Sequence, residues 1–181
     1  MDVGAPNLTA RIAGLFYLGT IVAGAMAAMS ANGREANTLI SAGCYVVVTL
    51  IFYVLFKPVN QGLSLLAAIA SLAGCSLTFL DALHRAPAQL NPLAFFGVYC
   101  LLIGYLIFKS TFLPLFLGVL MAIGGIGWLT FIAPSLAKHL VPFNMLPGVL
   151  GESVLTLWLL IKGVNVQRWN AQSGGRELLA R

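Results

Sequence analysis

Long apolar runs alternate with short polar clusters from one end of the chain to the other. Six such runs cover residues 12–29, 39–56, 63–80, 92–108, 112–133 and 145–161. Their length is near the roughly 20 residues that a helix needs to cross a hydrocarbon core about 30 Å thick. The pattern therefore predicts an all-α fold, a bundle of six transmembrane helices over residues 1–165, followed by a short basic tail at 166–181. Asn91, Asn144 and Pro87, Pro92, Pro134, Pro142 and Pro147 fall between or at the starts of the runs, where they mark turns and helix starts.

Composition agrees with this reading. Of 181 residues 60% are hydrophobic and 8% charged, whereas soluble domains carry about 25% charged residues. The first run follows Arg11 and leads into small residues (Ala25, Ala27, Ala28, Ser30, Ala31), as a cleaved signal would. It is long enough to span and begins the even spacing of the later runs, so it is read as a retained helix. Alternation of six helices puts Arg11, Lys57, Lys109, Lys162, Arg168, Arg176 and Arg181 on one side and Arg34, Arg85 and Lys138 on the other. That asymmetry predicts both termini in the cytoplasm. The net charge of +5 is then a signal of topology and of attraction to anionic lipid headgroups, with no nucleic-acid partner expected. Cys44, Cys75 and Cys100 sit inside separate runs without metal-ligand spacing and are read as small apolar residues. No metal site or cofactor is expected.

The second and fourth runs end alike. Leu50-Ile51-Phe52-Tyr53-Val54-Leu55-Phe56-Lys57 aligns without gaps on Leu102-Ile103-Gly104-Tyr105-Leu106-Ile107-Phe108-Lys109, and Lys57-Pro58-Val59-Asn60 is echoed by Lys162-Gly163-Val164-Asn165. Two readings fit: three related helical hairpins, or convergence on a snorkelling lysine beside interfacial aromatics. Gly19, Ala23 and Ala27 on the first helix, with Gly118, Ala122, Gly124, Gly125 and Gly127 on the fifth, form small-residue faces. These predict close helix packing, inside the chain or between copies in an oligomer.

Among the polar residues, Glu152 stands out as the one carboxylate inside an apolar run. An ionisable group at bilayer depth is costly and marks a functional site by default. It lies ten residues before Lys162, hence about 15 Å deep, and Tyr99 lies ten residues before Lys109. The two side chains are expected at one level, with the Tyr99 hydroxyl donating to the carboxylate. Tyr17, Thr20 and Ser71 are further candidates at about this depth, and Trp128 is a candidate pocket wall. Asp81, His84 and Arg85 form a polar cluster where the third helix leaves the membrane, with Asp81 and Arg85 spaced for an ion pair. His139 beside Lys138 has no carboxylate near it in sequence. No phosphate-loop, nucleophile-elbow, zinc-protease or dinucleotide motif is present; Gly124-Gly125-Ile126-Gly127 lies in apolar helix.

Several segments taken in order resemble a known family. They are Ala10-Arg11-Ile12-Ala13-Gly14-Leu15-Phe16-Tyr17-Leu18, Phe56-Lys57-Pro58-Val59-Asn60, Phe95-Phe96-Gly97, Gly104 to Ser110, Leu113-Pro114 with Leu117-Gly118-Val119-Leu120, and Gly151-Glu152 with Leu157-Trp158-Leu159-Leu160 and Gly163-Val164-Asn165. Nearly from end to end the chain resembles the bacterial multi-pass membrane family called domain of unknown function 4386. The resemblance implies a bacterial inner-membrane location and no assigned activity. Family members tend to carry longer periplasmic segments where this chain has the short loops 30–38 and 83–91, and other branches often place histidine at the position of Tyr99.

Three functional readings follow. The first is binding of a lipid or other hydrophobic small molecule around Glu152, Tyr99, Tyr17, Ser71 and Trp128, a role in which Glu152→Gln would largely keep folding and binding. The second is a membrane-embedded isomerase or cyclase with Glu152 as the acid and Asp81 as a second acid, although helical counting sets Asp81 about 13 Å from the level of Glu152. The third is proton-coupled transport through Glu152.

Overall fold

Asparagine and proline set the helix boundaries. In the computed structural model, which describes residues 6–29, 32–85 and 90–179, eight helices and one short turn of 3-10 helix account for nearly all of the described chain. Ser30, Ala31, Pro87 and Arg181, and the side chain of Arg176, lie outside the described residues. The helices are α1 (Pro6–Met29), α2 (Arg34–Phe56), α3 (Gln61–Ala82), α4 (Pro92–Lys109), α5 (Leu115–Leu129) with the 3-10 turn Thr130–Ile132, α6 (Pro134–Leu140), α7 (Leu146–Ile161) and α8 (Val166–Leu179). Asn60 Oδ1 accepts from Leu63 N at 3.1 Å and Asn91 Oδ1 from Leu93 N at 3.0 Å, satisfying donors at the starts of α3 and α4. Pro92 follows at the first helical position, where its missing N–H costs nothing.

Five helices are long and apolar enough to cross a membrane, counting α5 together with its 3-10 extension. The sixth member of the bundle is α7, whose 16 residues reach only about 24 Å. The fifth run is therefore shorter as a helix than its apolarity predicts. Pro114 precedes α5, so Phe112 and Leu113 form a turn, and beyond Leu129 the chain tightens and breaks before the separate helix α6. Asn144, in the turn before α7, donates from Nδ2 to Thr130 Oγ1 at 2.7 Å, and that hydroxyl donates to Gly127 O. This polar tie lets an irregular segment pack on the end of α5 with part of its hydrogen bonding met inside the protein.

The six long helices form a closed ring. Each packs on the next, α1 on α2, α2 on α3, α3 on α4, α4 on α5 and α5 on α7, and α7 returns to α1. Helices α4 and α5 approach closely, so that a Cβ on Gly104 would lie 2.8 Å from Gly118 O and one on Gly118 would lie 2.7 Å from Gly104 O. The missing side chains of the two glycines let the backbones come this near. The small-residue faces read from the sequence are used inside the chain: Gly19 faces Cys44 of α2, while Gly124 faces Gly148 of α7 and Gly125 faces α4.

One end of the ring collects Arg11 and the exits of α2, α4 and α7. Arg11 Nη2 donates to Ile161 O at 3.4 Å. The basic tail forms a helix, α8, from Val166 to Leu179. Gly163, at φ 66, takes the left-handed conformation that turns the chain, and α8 leaves α7 at 99° to lie across this end. Asn165 Oδ1 caps it by accepting from Arg168 N at 3.1 Å. Trp169 Nε1 then donates to Leu55 O at 3.0 Å, and Gln172 Nε2 to Lys109 O at 3.3 Å, fastening α8 to the ends of α2 and α4. Beneath it the interior is a dense apolar plug built from Phe52, Phe56, Ile103, Leu106, Leu117 and Leu159, each at most 1% exposed.

Candidate functional site

Above the plug the ring opens into a cup. It has a volume of about 370 Å³, and all six long helices contribute to its wall: Thr20, Gly24 and Ala28 from α1, Ser41 and Tyr45 from α2, Thr78 from α3, Leu93 and Phe96 from α4, Trp128 from α5, and Val149 and Glu152 from α7. These residues belong to the halves of their helices nearer Arg34 and His84, so the cup lies towards the end opposite the lysines. Glu152 is its deepest charged group, and among the described residues no Lys, Arg or His lines the wall.

The carboxylate is held by two donors. Trp128 Nε1 donates to Glu152 Oε1 at 3.1 Å, and Cys100 Sγ approaches the same oxygen at 3.5 Å. The Tyr17 hydroxyl is a third neighbour. Tyr17 is fully buried, and its hydroxyl pairs with that of Tyr45 at 3.3 Å behind the cup. The rings of Tyr45 and Phe96 lie 4.7 Å apart and those of Tyr45 and Tyr99 5.6 Å apart, making an aromatic layer at the depth of Glu152.

Most hydroxyls of the wall are already occupied. Thr20 Oγ1 donates to Ser41 O at 3.2 Å and Ser41 Oγ to Thr20 O at 2.9 Å, a reciprocal clamp between α1 and α2. Thr78 Oγ1 donates to Gly74 O in its own helix at 2.9 Å. Trp128 and Cys100 both meet Glu152 through the same oxygen, Oε1.

Two expected placements are corrected. Tyr99 lies at the level of Glu152 but does not donate to it; its hydroxyl is buried without a hydrogen-bond partner among the described residues. The next residue, Cys100, is turned by one helical step of about 100° towards the carboxylate and takes that place. Counting depth from the lysines finds the level but not the rotation of the helix. Ser71 is buried against Thr49, with 2.6 Å between the hydroxyls, and forms no part of the wall. Trp128 lines the cup. Tyr45, Phe96 and Cys100 were not legible as site residues, because aromatic and cysteine positions in an apolar helix look the same whether they face a core or a cavity.

The edge cluster is also rearranged. Asp81 and Arg85 make no ion pair among the described residues. Helix α3 ends at Ala82 and His84 adopts φ 54, so Arg85 leaves the helical path before the four-residue spacing closes. His84 Nε2 instead meets Glu35 Oε1 of α2 at 2.9 Å, with both side chains well exposed. Asp81 lies beside this pair in a shallow surface pocket and does not reach the cup. His139 Nδ1 lies 2.7 Å from Ser135 O within α6.

The half of the chain that supplies the cup's floor and one of its sides, from the end of α3 through α7, also carries the family signature: a family model matches residues 76–163. The model it matches is that of the family "Domain of unknown function (DUF4386)". An uncharacterised protein of Archaeoglobus fulgidus is 29% identical over 124 residues, covering 65% of this chain and 76% of the relative. No solved structure matches the chain. Within the DUF4386 segment fall Cys100, Trp128 and Glu152, whereas Tyr17 and Tyr45, from the helices before it, complete the site.

Proposed function

We propose that this protein is a binding protein of the inner membrane, with both termini cytoplasmic, that holds a lipid or other apolar molecule in the cup above Glu152. The observation that carries this reading is the cup itself. Its volume, near 370 Å³, falls within the roughly 300–1,000 Å³ of small-molecule sites, which share its mainly apolar walls and few polar groups. The excess of Lys and Arg at the α8 end supports the orientation, in which the mouth of the cup would face the outer side. The plug beneath Glu152 and the position of Asp81 outside the wall give no support to a through-path or to a two-acid reaction.

Native mass spectrometry of the protein extracted directly into lipid nanodiscs tests the reading. Bound mass is expected in the wild type and in Ile40→Trp, where Ile40 is 55% exposed outside the wall. It should be lost in Ala28→Trp and Gly24→Leu, which fill the cup. Equal retention in the filled variants, or no bound mass in any form, overturns it.

A further inference from the structure

We propose that the occupant of the cup is an organic cation, an ammonium group carried on an apolar body, seated with its charge against the Glu152 carboxylate; this rests on the binding role just proposed. Three observations converge on it. The first is charge: the wall holds one carboxylate and, among the described residues, no basic side chain. The groups that reach Glu152, an indole N–H, a thiol and the Tyr17 hydroxyl, are all neutral. A carboxylate at this depth is costly while it lacks a positive partner, and the described residues of the wall supply none. A cationic ligand would.

The second is aromatic. Tyr45, Phe96 and Trp128 line the cup together with Glu152. Tyr45 and Phe96 are in ring contact, and Trp128 is fixed by its bond to the carboxylate. Ring faces around an anionic group form a setting in which ammonium ions are attracted by the π quadrupoles as well as by the charge. The third is that Thr20, Ser41 and Thr78 direct their hydroxyl donors to backbone carbonyls. A neutral polar ligand seeking donors would find few; a cation needs only acceptors and ring faces. The Gly24, Ala25 and Ala28 face of α1 gives the apolar body its room.

The test compares benzyltrimethylammonium with neopentylbenzene, its carbon isostere, by equilibrium binding to the protein in phosphatidylcholine nanodiscs, with empty nanodiscs as background. The cation is expected to bind at least about tenfold more tightly than the isostere, a difference within the range of a desolvated cation–π contact joined to an ion pair. Glu152→Gln should remove that preference and leave the isostere unchanged, and Phe96→Leu should weaken the cation by about threefold or more. Equal affinities for both probes, with no preference to lose in Glu152→Gln, would overturn the cationic ligand while leaving the cup as a binding site. Failure of both probes to bind, with Ala28→Trp indistinguishable from wild type, would remove the binding role as well. If Glu152→Gln does not fold, the comparison of the two probes on the wild type decides alone.

Discussion

Glu152 and Trp128 show how one side chain can set another. The indole N–H at 3.1 Å fixes a carboxylate oxygen, and burial makes that bond worth more than it would be in water, because neither group has solvent to fall back on. Trp128→Phe should therefore destabilise the protein, and the thermal midpoint in detergent measures it. Combined with Glu152→Gln, a double-mutant cycle should return a coupling of about 1 kcal/mol; strict additivity would mean that the bond contributes nothing. At this scale the sequence revealed Glu152, since a lone acid in an apolar run is visible without a structure. The partners were less visible. Tyr99 and Cys100 share the depth of Glu152, and only the rotation of α4, set by Gly97 and Gly104 seated against α5, decides that the thiol and not the phenol meets it.

Two elements carry predictions that their composition alone would not suggest. Gly104→Ala places a methyl group against the α5 backbone and should cost about 1–3 kcal/mol by overpacking. Gly43→Ala, with nothing near the added Cβ, should be neutral or stabilising by up to about 1 kcal/mol through helix propensity. Chemical or thermal unfolding of the two variants side by side checks the contrast. Helix α8 is the second case. Trp169→Ala removes the indole bond to Leu55 O, and a spin label at Gln167 should gain mobility while the ring of spanning helices stays intact; an unchanged spectrum would show that the tryptophan does not hold α8 down. The tail's arginines concealed this helix, because they invite a reading of charge, whereas Asn165 as a cap and Trp169 as an anchor are single residues whose meaning depends on the surface they meet. The boundaries of α5 were obscured for a similar reason: apolarity already covers Phe112 and Leu113, although the helix begins only after Pro114.

For the whole molecule, hydrophobic runs were enough to give a bundle of six apolar helices, since crossing a bilayer is a requirement on length and apolarity that five of them meet by themselves and the shorter α7 approaches. Ring order and the cup were not legible, because they depend on which helices touch, and a uniformly apolar helix does not mark its neighbours. The proposed orientation yields a direct check. Cysteine at the exposed Ser135 of α6 should react with a membrane-impermeant maleimide in intact cells, and cysteine at the exposed Gln167 of α8 only after permeabilisation; the opposite pattern would invert the protein in the membrane. The plug of Phe52, Phe56 and their neighbours has an electrical consequence. From Glu152 to Lys162 it is about 15 Å thick, and it is the insulating part of the bundle, so a water-filled cup carries the outer bulk potential down to its floor and leaves most of the transmembrane voltage to fall across the plug. An ion resting on Glu152 then crosses little of that field, although a full crossing is worth about 2.3 kcal/mol per charge at 100 mV. Occupancy would accordingly follow concentration on the open side and stay nearly indifferent to whether the membrane is energised.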